Sequence, residues 1–226
     1  NNMAWIENGE LYINPLNPLV ENLDTLPFVP RLARNSYILF RDRAYPLDKK
    51  LYMKFSAFRG GIYRIVTSRG CPFRCSYCQN SVYARIYPVW KMRWASPEHI
   101  VEEIYRGVTE DLPLVFISIQ DDNLFALEYD KLKNFFELYK KRINKPFIAY
   151  STPNYLTQEK LDLAVEAGLI SVQIGLQSGS AKVCRDIYNR PIPPDRVAKV
   201  GKLLSKYPIV PYYDIMCDNP FETIED

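Results

Sequence analysis

A chain of 226 residues can bury one sizeable core but is too short for two comfortable domains. Lys and Arg number 29 against 26 Asp and Glu, a formal charge of +3, and no dense basic stretch stands out. That balance argues against a dedicated nucleic-acid groove. Apolar residues at 47% and charged residues at 24% exclude intrinsic disorder, and apolar runs such as Leu114–Ile119 fall far short of a membrane span.

Residues 1–60 read as an extended arm. Pro15, Pro18, Pro27, Pro30 and Pro46 interrupt any regular period, and Glu21–Pro30 reads as a connector. Asn8-Gly9, between short apolar runs, signals a small hairpin. The arm is expected to pack along the main domain and not to fold by itself.

Residues 61–226 change character. Ile62–Thr67 is a β-branched run expected to form a buried strand. Ser96-Pro97 opens a helix running to about Gly107, with Ser as cap and Pro at the first helical position. Leu114–Ile119 is a second strand, and Tyr129–Arg142 a helix with Leu132, Phe135, Phe136 and Tyr139 on one face. Phe147–Ser151 is a third strand, followed by a helix over Thr157–Ala167 that Gly168 terminates. Ser171–Leu176 is a fourth strand, with helical material from Ser180 and again over Pro194–Tyr207. Ile209–Met216 is a fifth strand, and Glu222–Asp226, with Thr223 as its cap, starts another helix. Strands alternating with helices imply βα units on a parallel sheet, hence an α/β fold. A sheet that stops as a helix begins is expected to be cut from a longer protein, incomplete at its C-terminal end.

Five cysteines is an odd number, and three of them, Cys71, Cys75 and Cys78, fall within eight residues directly after a strand. A secreted disulfide protein spaces its cysteines in pairs; crowded thiols point to metal. The C-x3-C-x2-C spacing can hold three corners of a cubane iron–sulfur cluster, whereas full ligation takes four cysteines. The fourth iron is then open to an outside ligand, which marks chemistry. A structural zinc site is the competing reading. It would need a fourth ligand, and the only histidine is His99, expected on the surface of a helix, while Cys184 and Cys217 are far along the chain. Cys184 is expected to be a buried small hydrophobe; Cys217 ends the fifth strand and is expected to be buried as well. Arg69 and Arg74 flank the cysteine loop, either steadying an anionic group or simply solvated.

The segment Cys71-Pro-Phe-Arg-Cys75-Ser-Tyr77-Cys78, with an aromatic residue before the third cysteine, resembles the signature of the radical S-adenosylmethionine (SAM) superfamily, and the likeness runs over residues 62–226. The connector Leu23-Asp24-Thr25-Leu26-Pro27-Phe28-Val29-Pro30-Arg31, Met92–Glu98 and Ile119–Phe125 are similar to its cobalamin-binding group. The resemblance implies a partial (β/α)6 barrel, TIM-barrel-like with parallel strands, and a [4Fe-4S] cluster on the three cysteines. An electron from the cluster would split SAM into methionine and a 5′-deoxyadenosyl radical. It also implies an electron donor such as flavodoxin or ferredoxin, a small-molecule or peptide substrate, and a cytoplasmic protein.

Ligands of a parallel αβ sheet collect at the carboxyl ends of the strands. By the resemblance, Tyr77 lies against adenine. Asp122 replaces the family's usual glutamate for the SAM ammonium, although Asp121 is its rival. Gln177 binds the ribose hydroxyls with Ser178 beside it, and Asn219 lies in the segment running beside adenine. Cobalamin, if used, is expected on a missing amino-terminal domain, since no Asp-x-His-x-x-Gly motif is present. Three functions remain open: a cobalamin-dependent methyl transfer or rearrangement, a methylthiotransferase-like or peptide-modifying radical enzyme without cobalamin, and a non-catalytic zinc or iron–sulfur binding module.

Overall fold

The computed structural model of the chain describes residues 2–223 except 31, 33, 34, 88 and 110–112. Arg31 of the connector motif and residues 224–226 of the expected final helix therefore lie outside the described residues, while Glu222 and Thr223 are not helical. In the arm, β1 (Ala4–Glu7) and β2 (Glu10–Ile13) pair antiparallel through Asn8-Gly9, both at positive φ, as the two-residue hairpin turn requires. A second hairpin, β3 (Tyr37–Phe40) and β4 (Arg43–Pro46), and a short helix α1 (Lys49–Phe55) follow. Neither was legible, because Arg41 and Asp42 take the left-handed turn conformation usually left to Asn and Gly.

The connector between the hairpins lies on the main domain. Leu23 is buried, and Asp24 Oδ1 accepts from Ser96 N at 2.7 Å. Phe28 packs on His99 with ring centroids 4.6 Å apart, so His99 is half-buried beneath the connector and not a free surface residue.

The main domain then runs in chain order: β5 (Ile62–Ile65), β6 (Ser68–Arg69), α2 (Gln79–Ile86), β7 (Arg93–Trp94), α3 (Pro97–Thr109), β8 (Phe116–Ile119), α4 (Tyr129–Arg142), β9 (Phe147–Ser151), α5 (Gln158–Glu166), β10 (Leu169–Gln177), α6 (Pro194–Leu204) and β11 (Val210–Ile215). Strands β5, β8, β9, β10 and β11 form one parallel sheet in sequential order, with Ile62 opposite Phe116, Ile117 opposite Phe147, Val172 opposite Ala149 and Ser171 opposite Val210. Right-handed crossovers that always step the same way put α3, α4, α5 and α6 on one face, as in a barrel wall and unlike a doubly wound sheet. Ribbon β6–β7 stands apart and braces the cysteine loop.

Alternation along the strands follows from this one-sided cover. Ile65, Ile117, Ile119, Phe147, Ala149, Val172 and Ile174 face the helices and join Ile104, Leu132, Phe135, Phe136 and Tyr139 in the core. The opposite, concave face carries Arg64, Tyr150 and Gln173 around cavities. A sheet covered on both sides would read as continuous apolar runs. Polar residues on the inner face leave it open for ligands. β5 ends at Ile65 and not at Thr67, because Thr67 N and Oγ1 both donate to the Asp121 carboxylate at 2.5 Å and leave the ladder.

Candidate active site

The chain leaves β6 through Gly70, whose φ of +96° is open to glycine at little cost, and where an added Cβ would meet the Lys91 carbonyl at 3.0 Å. The cysteine loop follows. Cys75 is buried, Cys71 and Cys78 are half-buried, and Cys78 caps the start of α2. Three bonds from the segment after β10 hold the loop from outside. Ser76 N donates to Tyr188 O at 2.9 Å, Ser76 Oγ to Ile187 O at 2.6 Å, and Asn189 Nδ2 to Arg74 O at 2.9 Å. The loop is thus fixed by residues over a hundred positions away in the chain, at the carboxyl ends of the sheet.

All three thiols line one cavity of about 160 Å³, together with Phe73, Tyr77, Asp122, Tyr150, Gln177 and Arg190. Among the described residues no three His, Cys, Asp or Glu converge on a single-ion position. Zinc gathers its ligands about one point, whereas a cluster takes one cysteine per iron, so its cysteines surround a volume. Cys71, Cys75 and Cys78 all border this one cavity. None of Cys184, Cys217 and His99 lines this cavity. Cys184 is buried with Sγ against the Ser178 carbonyl at 3.7 Å. Cys217 is exposed, contrary to expectation, because β11 is an edge strand with no neighbour beyond it among the described residues. Burial, reinforced by Asp122 and the two other thiols, pushes the Cys71 thiol up to about 11, with the Phe73 amide opposing. Thiols that repel one another's charge need a bound cation to ionise together.

The two aspartates after β8 divide cleanly. Asp121 is fully buried and accepts from Thr67 and from Ser68 N at 3.2 Å; burial raises its pKa. It ties β5 to β8. Asp122 stands in the cavity, with Oδ2 accepting from Asn80 Nδ2 at 2.9 Å, and Asn80 also reaches Cys78 Sγ at 3.8 Å.

At the end of β10 the backbone bulges, and Gln177 takes φ +73°. That turn folds its side chain back over Gly175, where a Cβ would lie 2.3 Å from Gln177 Nε2 and 3.1 Å from Arg190 Nη2. Gly175 thereby makes room for both groups in the cavity. Arg190 was not anticipated. It is 6% exposed, donates from Nη2 to Gly175 O at 2.6 Å and from Nη1 to Tyr77 OH at 3.3 Å, and its Nε has no partner among the described residues. Tyr77 packs edge-on against Tyr188 at 5.3 Å, and burial raises its pKa while Arg190 opposes.

Ser178 and Asn219 fall outside the cavity lining. The Ser178 hydroxyl is buried and donates to Glu222 Oε1, while Asn219 Nδ2 donates to Tyr188 OH at 3.1 Å. These residues form a bonded layer behind Tyr77 instead of facing the cavity.

The family profile for the Radical SAM superfamily matches residues 65–226. The chain belongs to the radical SAM superfamily. Membership makes it an enzyme and accounts for the sequential parallel sheet. Among curated proteins, it is 24% identical to the cytidylyl-2-hydroxyethylphosphonate methyltransferase of Streptomyces wedmorensis, over 99% of this chain and 45% of that protein. It is 25% identical to an uncharacterized methyltransferase of Pyrococcus horikoshii, over 99% of this chain and 44% of that one. The chain spans less than half the length of these curated relatives. Among solved structures, the cobalamin-dependent SAM radical enzyme OxsB, with aqua-cobalamin and SAM bound, superposes with a TM-score of 0.63 at 19% identity, over 94% of this chain and 29% of OxsB. The radical SAM methyltransferase TsrM of Kitasatospora setae, with cobalamin and a [4Fe-4S] cluster bound, gives 0.60 at 20% identity, over 88% of this chain and 39% of TsrM. At these identities the likeness establishes the fold.

Proposed function

We propose that the chain is the SAM-cleaving core of a cobalamin-dependent radical SAM methyltransferase. The observation that carries the reading is the convergence of Cys71, Cys75 and Cys78 on one cavity with Asp122, Gln177 and Arg190, all at the carboxyl ends of the sheet. The methyltransferase relatives and the cobalamin enzymes that share the fold support the reaction type.

A cluster held by the three thiolates would supply the electron that splits SAM; the rest is the work of this chain's side chains. Asp122, held by Asn80, presents a carboxylate to the SAM ammonium. Arg190, with a buried Nε unpartnered among the described residues, offers a charged donor to the SAM carboxylate. Gln177 is placed for the ribose hydroxyls, and the Tyr77 ring, backed by Tyr188, for adenine. Phe73 and Tyr150 close the cavity walls against water. His99, the single histidine of the chain, lies against Phe28 and not in this cavity.

The test is product analysis with the reconstituted full-length protein, SAM and a chemical reductant, with and without added cobalamin. Cobalamin-dependent formation of S-adenosylhomocysteine supports methyl transfer. Cleavage to 5′-deoxyadenosine alone, indifferent to cobalamin, leaves a radical enzyme of another kind.

A further inference from the structure

The charge of the chain is distributed unevenly. Residues 49–97 contain ten Lys and Arg and no Asp or Glu, while the other 177 residues hold 19 cations and all 26 acids. This acid-free stretch contains β5, the cysteine loop and α2. Of its cations, Lys91 is paired with Glu21 at 2.6 Å. Arg74 and Arg85 instead donate to backbone carbonyls, of Ala84 at 3.1 Å and Ser81 at 3.3 Å, so among the described residues no carboxylate offsets their charge.

These guanidinium groups border an apolar strip. α2 begins immediately after the cluster ligand Cys78 and buries Ser81, yet turns Val82 and Ile86, one helical turn apart, into solvent with Arg85 between them. Val89, just past the helix, is 64% exposed. A helix normally hides such a stripe. At 1.5 Å per residue, Val82 stands about 6 Å along the axis from Cys78, so anything seated here is close to the cluster position.

We propose that the outer face of α2, centred on Val82, Arg85 and Ile86, docks an acidic one-electron carrier protein. This rests on the reading of the cysteine loop as a cluster site. Val82, Arg85 and Ile86 stand on an exposed helix face, which does not suit a small substrate, and their aliphatic centre would be wasted on a phosphate backbone. An apolar core with a cationic rim matches a protein face of opposite charge, and the rim speeds encounter. The electron balance is simple: the carrier loses one electron and the cluster site gains one.

The test uses the reconstituted full-length protein and an acidic flavodoxin as probe. Binding is measured by titration calorimetry for the wild type, Arg85→Glu, Ile86→Ser and, as a charge-matched control on α4, Lys141→Glu, with folding checked by circular dichroism. Arg85→Glu is expected to weaken binding about tenfold at low salt, with the difference shrinking as ionic strength rises. Ile86→Ser should weaken binding at all salt concentrations, and Lys141→Glu should leave it unchanged. SAM cleavage driven by dithionite should be the same in all four, while cleavage driven by reduced flavodoxin falls in step with binding. Equal flavodoxin affinity in wild type and Arg85→Glu, or an equal loss in Lys141→Glu, overturns the docking face and leaves the cluster reading intact. Loss of dithionite-driven cleavage in the wild type overturns both. RNA binding that Arg85→Glu abolishes, with flavodoxin binding unaffected, assigns the face to nucleic acid and overturns the proposal.

Discussion

Substituting Gly175 separates the fold from the SAM site. An added Cβ would lie 2.3 Å from Gln177 Nε2 and 3.1 Å from Arg190 Nη2. Non-bonded heavy atoms settle near 3.5 Å, so the Gln177 amide must retreat by about 1 Å. Both obstacles are ends of flexible side chains, and Gly175 has no left-handed φ to lose. Gly175→Ala should therefore cost less than about 1 kcal/mol of stability. A hydrogen bond does not survive a displacement of that size. Losing the Gln177 contact, and loosening the charged one from Arg190, should weaken SAM binding by about 1–3 kcal/mol, roughly 5- to 150-fold in Kd. Gln177→Ala alone should cost about 1–2 kcal/mol. In the double variant the clashing amide is gone, so its loss should be close to that of Gln177→Ala and well short of the sum. Equilibrium binding of SAM to the cluster-loaded protein measures all three, with iron content as control. Unchanged affinity in Gly175→Ala would refute the placement of Gln177 and Arg190 on SAM.

Cys71→Ala, Cys75→Ala and Cys78→Ala should each abolish the cluster and SAM cleavage, while Cys184→Ala with Cys217→Ala keeps both; cluster loss in that double variant, with folding intact, would reveal a fourth protein ligand. Gly107→Ala puts a Cβ 2.1 Å from the Tyr63 ring, so overpacking of about 1–3 kcal/mol should outweigh the gain in helix propensity of up to about 1 kcal/mol, and a raised Tm would contradict it. Asp121→Ala strands three donors from Thr67 and Ser68 and should cost at least about 2 kcal/mol in urea unfolding, Asp121→Asn less. Because burial raises the Asp121 pKa, its neutral form favours the fold and its ionised form opposes it. The wild type's margin over Asp121→Asn should therefore shrink as pH rises from the usual carboxylate range, and a widening margin would contradict the assignment.

The legible parts of the site were those whose chemistry is local in sequence. The Cys71–Cys78 spacing and Gln177 at a strand end stand out because a loop or a strand terminus needs no long-range partner to be recognised. Asp121 and Asp122 could not be told apart in advance, since only the position of Thr67, 54 residues earlier, decides which carboxylate is buried. Arg190 gave little signal: it follows Tyr188-Asn189 in a polar stretch and reads as solvated, and its bonds to the Gly175 carbonyl and Tyr77 hydroxyl, both distant in sequence, bring it inward. Ser178 does not line the cavity for a converse reason, as its hydroxyl donates to Glu222, 44 residues on. The five parallel strands were readable from β-branched runs between helices, whereas α2 was hidden by its exposed Val82 and Ile86, which invert the usual periodicity.

The central claim is that three cysteines hold a cluster with one iron left open for SAM. Iron and sulfide analysis of the anaerobically reconstituted protein, with electron paramagnetic resonance of the reduced form before and after adding SAM, tests it most directly. The account predicts about four irons and four sulfides per chain and a spectrum that shifts when SAM binds. Stoichiometric zinc without visible absorbance, or a cluster spectrum that SAM leaves unchanged, would contradict it.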